Sequence, residues 1–142
     1  MITPLRGESV RLFLDANVLF SAAYRPDAGL LKLWRLKDVV LCSSRYALEE
    51  AKINLGQETQ RKRLADLSGR LHLFEAIPRG LPPEISLPDK DAPVLLAAIE
   101  AEATHLITGD LRHFGPFIRK TVQGILVQTP ADYLSTIPRN AK

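Results

Sequence analysis

Cysteine is almost missing from this chain: Cys42 is the only one in 142 residues. A lone thiol excludes an internal disulfide. With no Cys pair, and with His72, His105 and His113 outside zinc-motif spacing, a zinc centre of that kind is excluded as well. The three histidines are expected to be structural or surface residues. Cys42 lies in the apolar stretch VVLCSS and is expected to behave as a small buried hydrophobe in a reducing compartment. Long apolar runs are absent too. The early segment VRLFLDANVLF is broken by Asp15, so neither a signal peptide nor a membrane span is expected, and the expected location is the cytoplasm. Internal repeats and low-complexity tracts are lacking. No glycine-rich turn follows the first predicted strand, which disfavours a dinucleotide-binding module.

Strong charge is also missing. The net charge is +3, and the excess is confined to one half: residues 1–71 hold 12 Lys/Arg against 8 Asp/Glu, the remainder 7 against 8. That asymmetry permits contact with a polyanion without requiring it, because a basic face is most often solvated surface. The densest patch is Arg61, Lys62 and Arg63. With 46% of its residues hydrophobic, a chain of this length can bury the core of one domain, and residues 1–142 are expected to form a single one.

Short apolar runs at 10–14, 39–43, 105–108 and 124–128 predict strands, as does the more alternating RLHLF at 70–74. Helical patterns lie between them at 28–36, 45–55, 57–67 and 92–103. Alternation of strand and helix predicts an α/β domain with a largely parallel sheet. Residues 76–93 hold five of the ten prolines and predict a long irregular connection within that domain.

Four carboxylates fall where such a sheet gathers function. Asp15 ends the first strand and Asp110 follows the strand LIT, and in open parallel sheets the crevice lies at the carboxyl ends of the strands. Taken singly, Asp15 is equally a cap for a helix beginning near Val18, and Asp110 equally a turn residue. Glu50 lies near the border of the packed stripe of Leu48, Ala51 and Leu55, with Glu49 as the competing choice. Asp91 precedes a helix with a proline in its first turn, a position that favours a carboxylate cap, with Asp89 as its rival. Carboxylates converging on one crevice repel one another unless some are protonated or a cation is bound. Mg²⁺ or Mn²⁺ suits such hard oxygen ligands, and one or two ions of this type support phosphodiester hydrolysis.

At this point the chain resembles the PIN domain family, in particular small prokaryotic single-domain members such as VapC-like toxins. The resemblance runs over residues 10–134 through FLDANVLFSA, SSRYALEEAKINL, KDAPVLLAAIEAEATHLITGD and the tail HFGPF…GILVQTPADYL. It implies a three-layer α/β/α fold around a mostly parallel sheet of about five strands. It also implies that Asp15, Glu50, Asp91 and Asp110 are catalytic, metal-binding acids, that Asn17 and Thr108 support them, and that Ser21 is a further support. The implied activity is Mg²⁺- or Mn²⁺-dependent endoribonuclease cleavage leaving 5′-phosphate and 3′-hydroxyl ends. Arg45, Lys52 and residues 61–63 are candidates to hold the RNA backbone. An antitoxin partner and a homodimer are implied as well. One departure stands out: many members carry a further acid in T-x-D-x-D, whereas Arg112 and His113 follow Asp110 here, which bears on a second metal position.

Rival readings are weaker. A haloacid-dehalogenase-like phosphatase requires an aspartate where Asn17 stands. A receiver domain requires an early acidic pair and a mid-chain phosphoacceptor, and neither occurs. A PIN-like module that binds RNA or protein without cutting is the non-enzymatic alternative, against which the four acids argue.

Overall fold

The structure, a computed structural model, describes residues 10–75 and 92–137. Leu12 and Leu14 point to one side of the first strand and Phe13 to the other, all three fully buried, so apolar side chains cover both faces. A strand buried on both faces belongs inside a parallel sheet. That strand, β1 (Arg11–Leu14), pairs in parallel with β2 (Val40–Ser44) on one side and β4 (His105–Ile107) on the other. Next to β2 lies β3 (His72–Phe74), and next to β4 lies β6 (Ile125–Gln128), both parallel. The sixth strand, β5 (Thr121–Val122), pairs antiparallel with β6 at the sheet edge, giving the order β3-β2-β1-β4-β6-β5.

This sixth strand exceeds the expected five. It is two residues long and joins β6 through Gln123 and Gly124, whose φ angles are 52° and 79°. Two left-handed residues between paired strands form the tight hairpin turn that matches sheet twist.

Helices cover both faces. On the Leu12/Leu14 side pack α1 (Ala16–Tyr24), α2 (Arg45–Asn54), α3 (Glu58–Ser68) and α6 (Pro130–Ser135), through Val18, Leu19, Ala47, Ala51, Leu64 and Tyr133. On the Phe13 side, α4 (Ala92–Glu100) and the short α5 (Leu111–Phe114) contribute Val94, Leu95, Ala98 and Phe114, which bury Cys42. Burial raises the Cys42 thiol pKa above its ordinary value, partly countered by Arg11, so it stays a neutral packing group. Each fully buried Leu or Phe in these layers contributes ~1.5–3 kcal/mol relative to exposure.

Several boundaries differ from the sequence expectation for local reasons. Residues 28–36 form a 3₁₀ helix, Gly29–Arg35, rather than an α-helix; Leu33 and Trp34 are buried, and the Trp34 indole donates to the Leu67 carbonyl at 3.1 Å. The first helix starts at Ala16, two residues before Val18, because Asp15 caps it directly. Helix α4 stops at Glu100 instead of 103. Glu102 turns left-handed (φ 55°), Ala103 N–H donates to Ala98 and Glu102 N–H to Ile99, a paired closure usually built on glycine. Asp89, Asp91 and nearly all of the proline-rich 76–93 connection lie outside the described residues.

Candidate active site

The strand order reverses between β1 and β4: from β1 the chain proceeds outward to β2 and β3, and from β4 to β6. At such a switch point the two outgoing connections diverge and leave a crevice beyond the strand ends. Asp15 follows β1 and Asp110 lies just beyond β4, so the topology alone places both at one crevice. A cleft of about 520 Å³ occupies it, lined by Asp15, Asn17, Phe20, Glu50, Asn54 and Asp110 together with Ala16 and Ala51.

Asp15 is 4% exposed, and such burial of a carboxylate is costly unless its oxygens are hydrogen-bonded. One oxygen accepts from the Ala16 N–H at 2.7 Å. The other accepts from the Thr108 hydroxyl at 2.8 Å and the Asn17 amide at 3.1 Å. Thr108 is fully buried, and parallel pairing of Leu14 with Ile107 brings it beside Asp15. Its oxygen also accepts from the Asp110 N–H at 3.0 Å and the Asn17 amide at 3.3 Å. Asn17 completes the frame by accepting from the Gly109 N–H at 2.7 Å. Position 17 thus needs a donor toward Asp15 and an acceptor toward Gly109. An amide supplies both, whereas a second carboxylate would face Asp15 with like charge.

Gly109 carries no left-handed backbone, so conformational freedom is not what the position requires. A Cβ there would lie 3.2 Å from the Asn17 carboxamide oxygen. The glycine permits the close approach of Asn17 to the backbone that follows β4.

Asp110 caps α5, one oxygen accepting from the His113 N–H at 3.1 Å. Its other oxygen lies 3.0 Å from His113 Nδ1. The histidine therefore stands against a site acid, which sequence reading missed; the helical i, i+3 spacing was the available signal. Glu50 comes from α2, whose start is fixed by Ser44 accepting from the Ala47 N–H at 3.0 Å. Of the two neighbouring glutamates, Glu50 lines the cleft while Glu49 is exposed outside it. Asn54, one helical turn beyond Glu50, also lines the cleft, its amide donating to the Glu50 carbonyl at 2.9 Å. Phe20, one turn beyond Ala16, forms another part of the wall. Asn54 was legible as the i+4 neighbour of Glu50 and Phe20 as the i+3 neighbour of Asn17; both were missed.

The remaining candidates among the described residues do not line this cleft. Ser21 is exposed and lines a second depression that shares Phe20 with the first. Arg45 pairs with Glu75 at 2.9 Å, both exposed, and Lys52 is exposed on α2. Arg61 donates to the Leu55 carbonyl at 2.9 Å and Arg63 to the Ala23 carbonyl at 2.7 Å, so two members of the basic patch tie α3 to its surroundings; Lys62 is exposed.

Among the described residues lining the cleft every charged group is a carboxylate, with no Lys, Arg, Cys or His. That donor set fits a hard divalent cation in chemical character. No group of three described His, Cys, Asp or Glu residues stands close enough together to hold an ion by itself. No helix among the described residues is long and apolar enough to cross a membrane.

Fold and site together define a three-layer α/β/α domain with an acidic cleft at the switch point of a mostly parallel sheet. A profile of the PIN domain family matches residues 11–112, and the chain belongs to that family. Its fold is shared with a chain of the crystal structure of VapBC2 from Rickettsia felis bound to a DNA fragment from their promoter, at a TM-score of 0.59 and 15% identity over 84% of this chain and 98% of that one. No curated protein matches the sequence.

Proposed function

We propose that this protein is a metal-dependent endoribonuclease, acting as the toxin of a toxin–antitoxin pair in the cytoplasm. The observation that carries the reading is the convergence of Asp15, Glu50 and Asp110 on one cleft, with Asp15 buried and held by the neutral donors Thr108 and Asn17. Membership of the PIN domain family supports it.

Asp15, Glu50 and Asp110, joined by Asp91, would hold Mg²⁺ or Mn²⁺. When bound, such an ion supplies Lewis-acid activation of water and charge neutralisation at the scissile phosphate. The chain's own contribution is positional. Thr108 and Asn17 fix the Asp15 carboxylate in one orientation, Gly109 lets Asn17 approach, and His113 holds the second oxygen of Asp110. Phe20 and Asn54 shape the walls against which the RNA strand lies. Lys52, Lys62 and Arg45 are the exposed cations available to the phosphate backbone, with Arg45 exchanging from a surface pair that contributes little. VapBC2 is a two-component assembly, which supports a cognate antitoxin for this chain; a homodimer completes the proposed assembly.

The test is cleavage of a mixed RNA pool by purified protein with Mg²⁺ or Mn²⁺. Cleavage is expected, abolished by EDTA and reduced about a hundred-fold or more by Asp15→Asn, since losing a ligand should exceed the ~10–100-fold cost of losing an outer-shell partner. Intact RNA under both metals, with wild-type and variant binding RNA equally, would instead support the non-catalytic binding module.

A further inference from the structure

Helix α1 carries more than the first acid. Four residues beyond Ala16 stands Phe20, and four beyond that stands Tyr24, so the two rings share one helix face, each about 6 Å further along the axis. Their ring centroids are 5.4 Å apart with planes tilted by 37°, and Tyr24 is 51% exposed. Phe20 belongs to the acidic cleft and also to a second depression of about 360 Å³, which continues past Ser21, Tyr24 and Arg25 to the 3₁₀ turn. The depression and the cleft therefore share Phe20 as a common wall.

The far end of that wall is held from beneath. Arg63 donates to the Ala23 carbonyl at 2.7 Å and Gln60, itself 7% exposed, donates to the Tyr24 carbonyl at 3.2 Å. These are among the last carbonyls of α1, which helical hydrogen bonding leaves unmatched. The backbone that carries the exposed Tyr24 ring is thus anchored, and Phe20 lies against the ring. Beside it, Arg25 reaches Asp27 only at 3.9 Å with both side chains largely solvated, so the guanidinium can exchange to another anion.

A flat aromatic face, an exchangeable cation and a hydroxyl, reached along a wall from a carboxylate cleft, are the groups that receive an unpaired nucleobase and its phosphate. We propose that the Phe20–Tyr24–Arg25 depression is a nucleobase subsite of the RNA-cleaving site: one unpaired base beside the scissile phosphodiester stacks on Tyr24, its phosphate meets Arg25, and the Ser21 hydroxyl reaches its polar edge. This rests on the ribonuclease reading and narrows its substrate to single-stranded segments.

The test measures affinity for a short labelled single-stranded oligoribonucleotide of mixed sequence by fluorescence anisotropy in EDTA, with cleavage assayed in parallel under Mn²⁺. Tyr24→Ala should weaken binding about 5- to 150-fold, while Tyr24→Phe, which keeps the stacking face, should stay within about threefold of wild type. Arg25→Gln should reduce the salt dependence of log K by about 0.7, the value of one single-strand phosphate contact. Duplex RNA should bind without Tyr24 dependence. Circular dichroism and thermal melting establish that the variants fold. A folded Tyr24→Ala protein that binds the oligonucleotide like wild type overturns the subsite, as does a wild type that does not bind it. Loss of self-association in Tyr24→Ala with RNA affinity intact also overturns it and makes this face a protein interface. Cleavage with Tyr24-independent binding retires the subsite alone; Tyr24-dependent binding without cleavage retires the catalytic reading alone.

Discussion

Two aspartates in this protein have been given opposite surroundings. At the edge of the sheet, Asp132 meets Arg119 in a two-pronged pair, both bonds 3.0 Å, and the guanidinium holds the carboxyl below the ordinary aspartate range. At the switch point, Asp15 is buried among an amide, a hydroxyl and a backbone N–H. The pair at Asp132 neutralises charge on the spot. Neutral donors orient Asp15, and Glu50 and Asp110 line the same cleft. Asp132 is met by a cation of the fold, whereas the described lining shared by Asp15, Glu50 and Asp110 holds no lysine or arginine.

The largest disturbance to this contrast is the loss of cleavage already expected for Asp15→Asn. Next comes Thr108→Val, which keeps the branched shape but removes the hydroxyl linking Asp15, Asn17 and the Asp110 backbone. The lost network should cost ~1–3 kcal/mol in denaturant unfolding. It should also weaken Mn²⁺ binding ~10–100-fold by titration calorimetry. Gly109→Ala is milder: the added methyl presses on the Asn17 oxygen at 3.2 Å and lengthens a 2.7 Å bond, for a loss of ~1 kcal/mol with the fold retained.

Smallest is Arg119→Gln, which should leave cleavage unchanged. Its effect belongs to acid titration. Because the folded Asp132 pKa is depressed, the pair's stabilisation is present above the unfolded aspartate pKa and is lost as pH falls through the lowered folded value. Thermal melts from neutral to acidic pH should show a slightly shallower acid decline in Arg119→Gln than in wild type.

The strands and the cleft acids, though not the Arg119–Asp132 pair, were legible in the sequence. Apolar runs marked the strands because β1, β2 and β4 are buried and carry continuous rather than alternating hydrophobicity. Asp15 and Asp110 were legible because each follows such a run. Asp15 caps α1 as expected and Asp110, read as a turn residue, caps α5, while both line the cleft. What escaped reading was local or distant in sequence. The Gln123–Gly124 hairpin was too short to register as a strand pair, and Glu102 closed α4 in a conformation that glycine usually signals. Glu50 was favoured over Glu49 in the sequence, and α2 turns Glu50 to the cleft. The bond from Thr108 to Asp15 spans 93 residues and depends on the register of β1 against β4, which no local pattern encodes. Arg61 and Arg63 read as a charge patch, yet each caps a backbone carbonyl.

The central claim is that the acids of the cleft act together as the seat of a divalent cation. Titration calorimetry with Mn²⁺ on wild type and on folded Asp15→Asn tests it most directly. Saturable binding to wild type is expected, weakening at least about a hundred-fold in the variant. Equal Mn²⁺ affinity in the two proteins, or none in wild type, would contradict it.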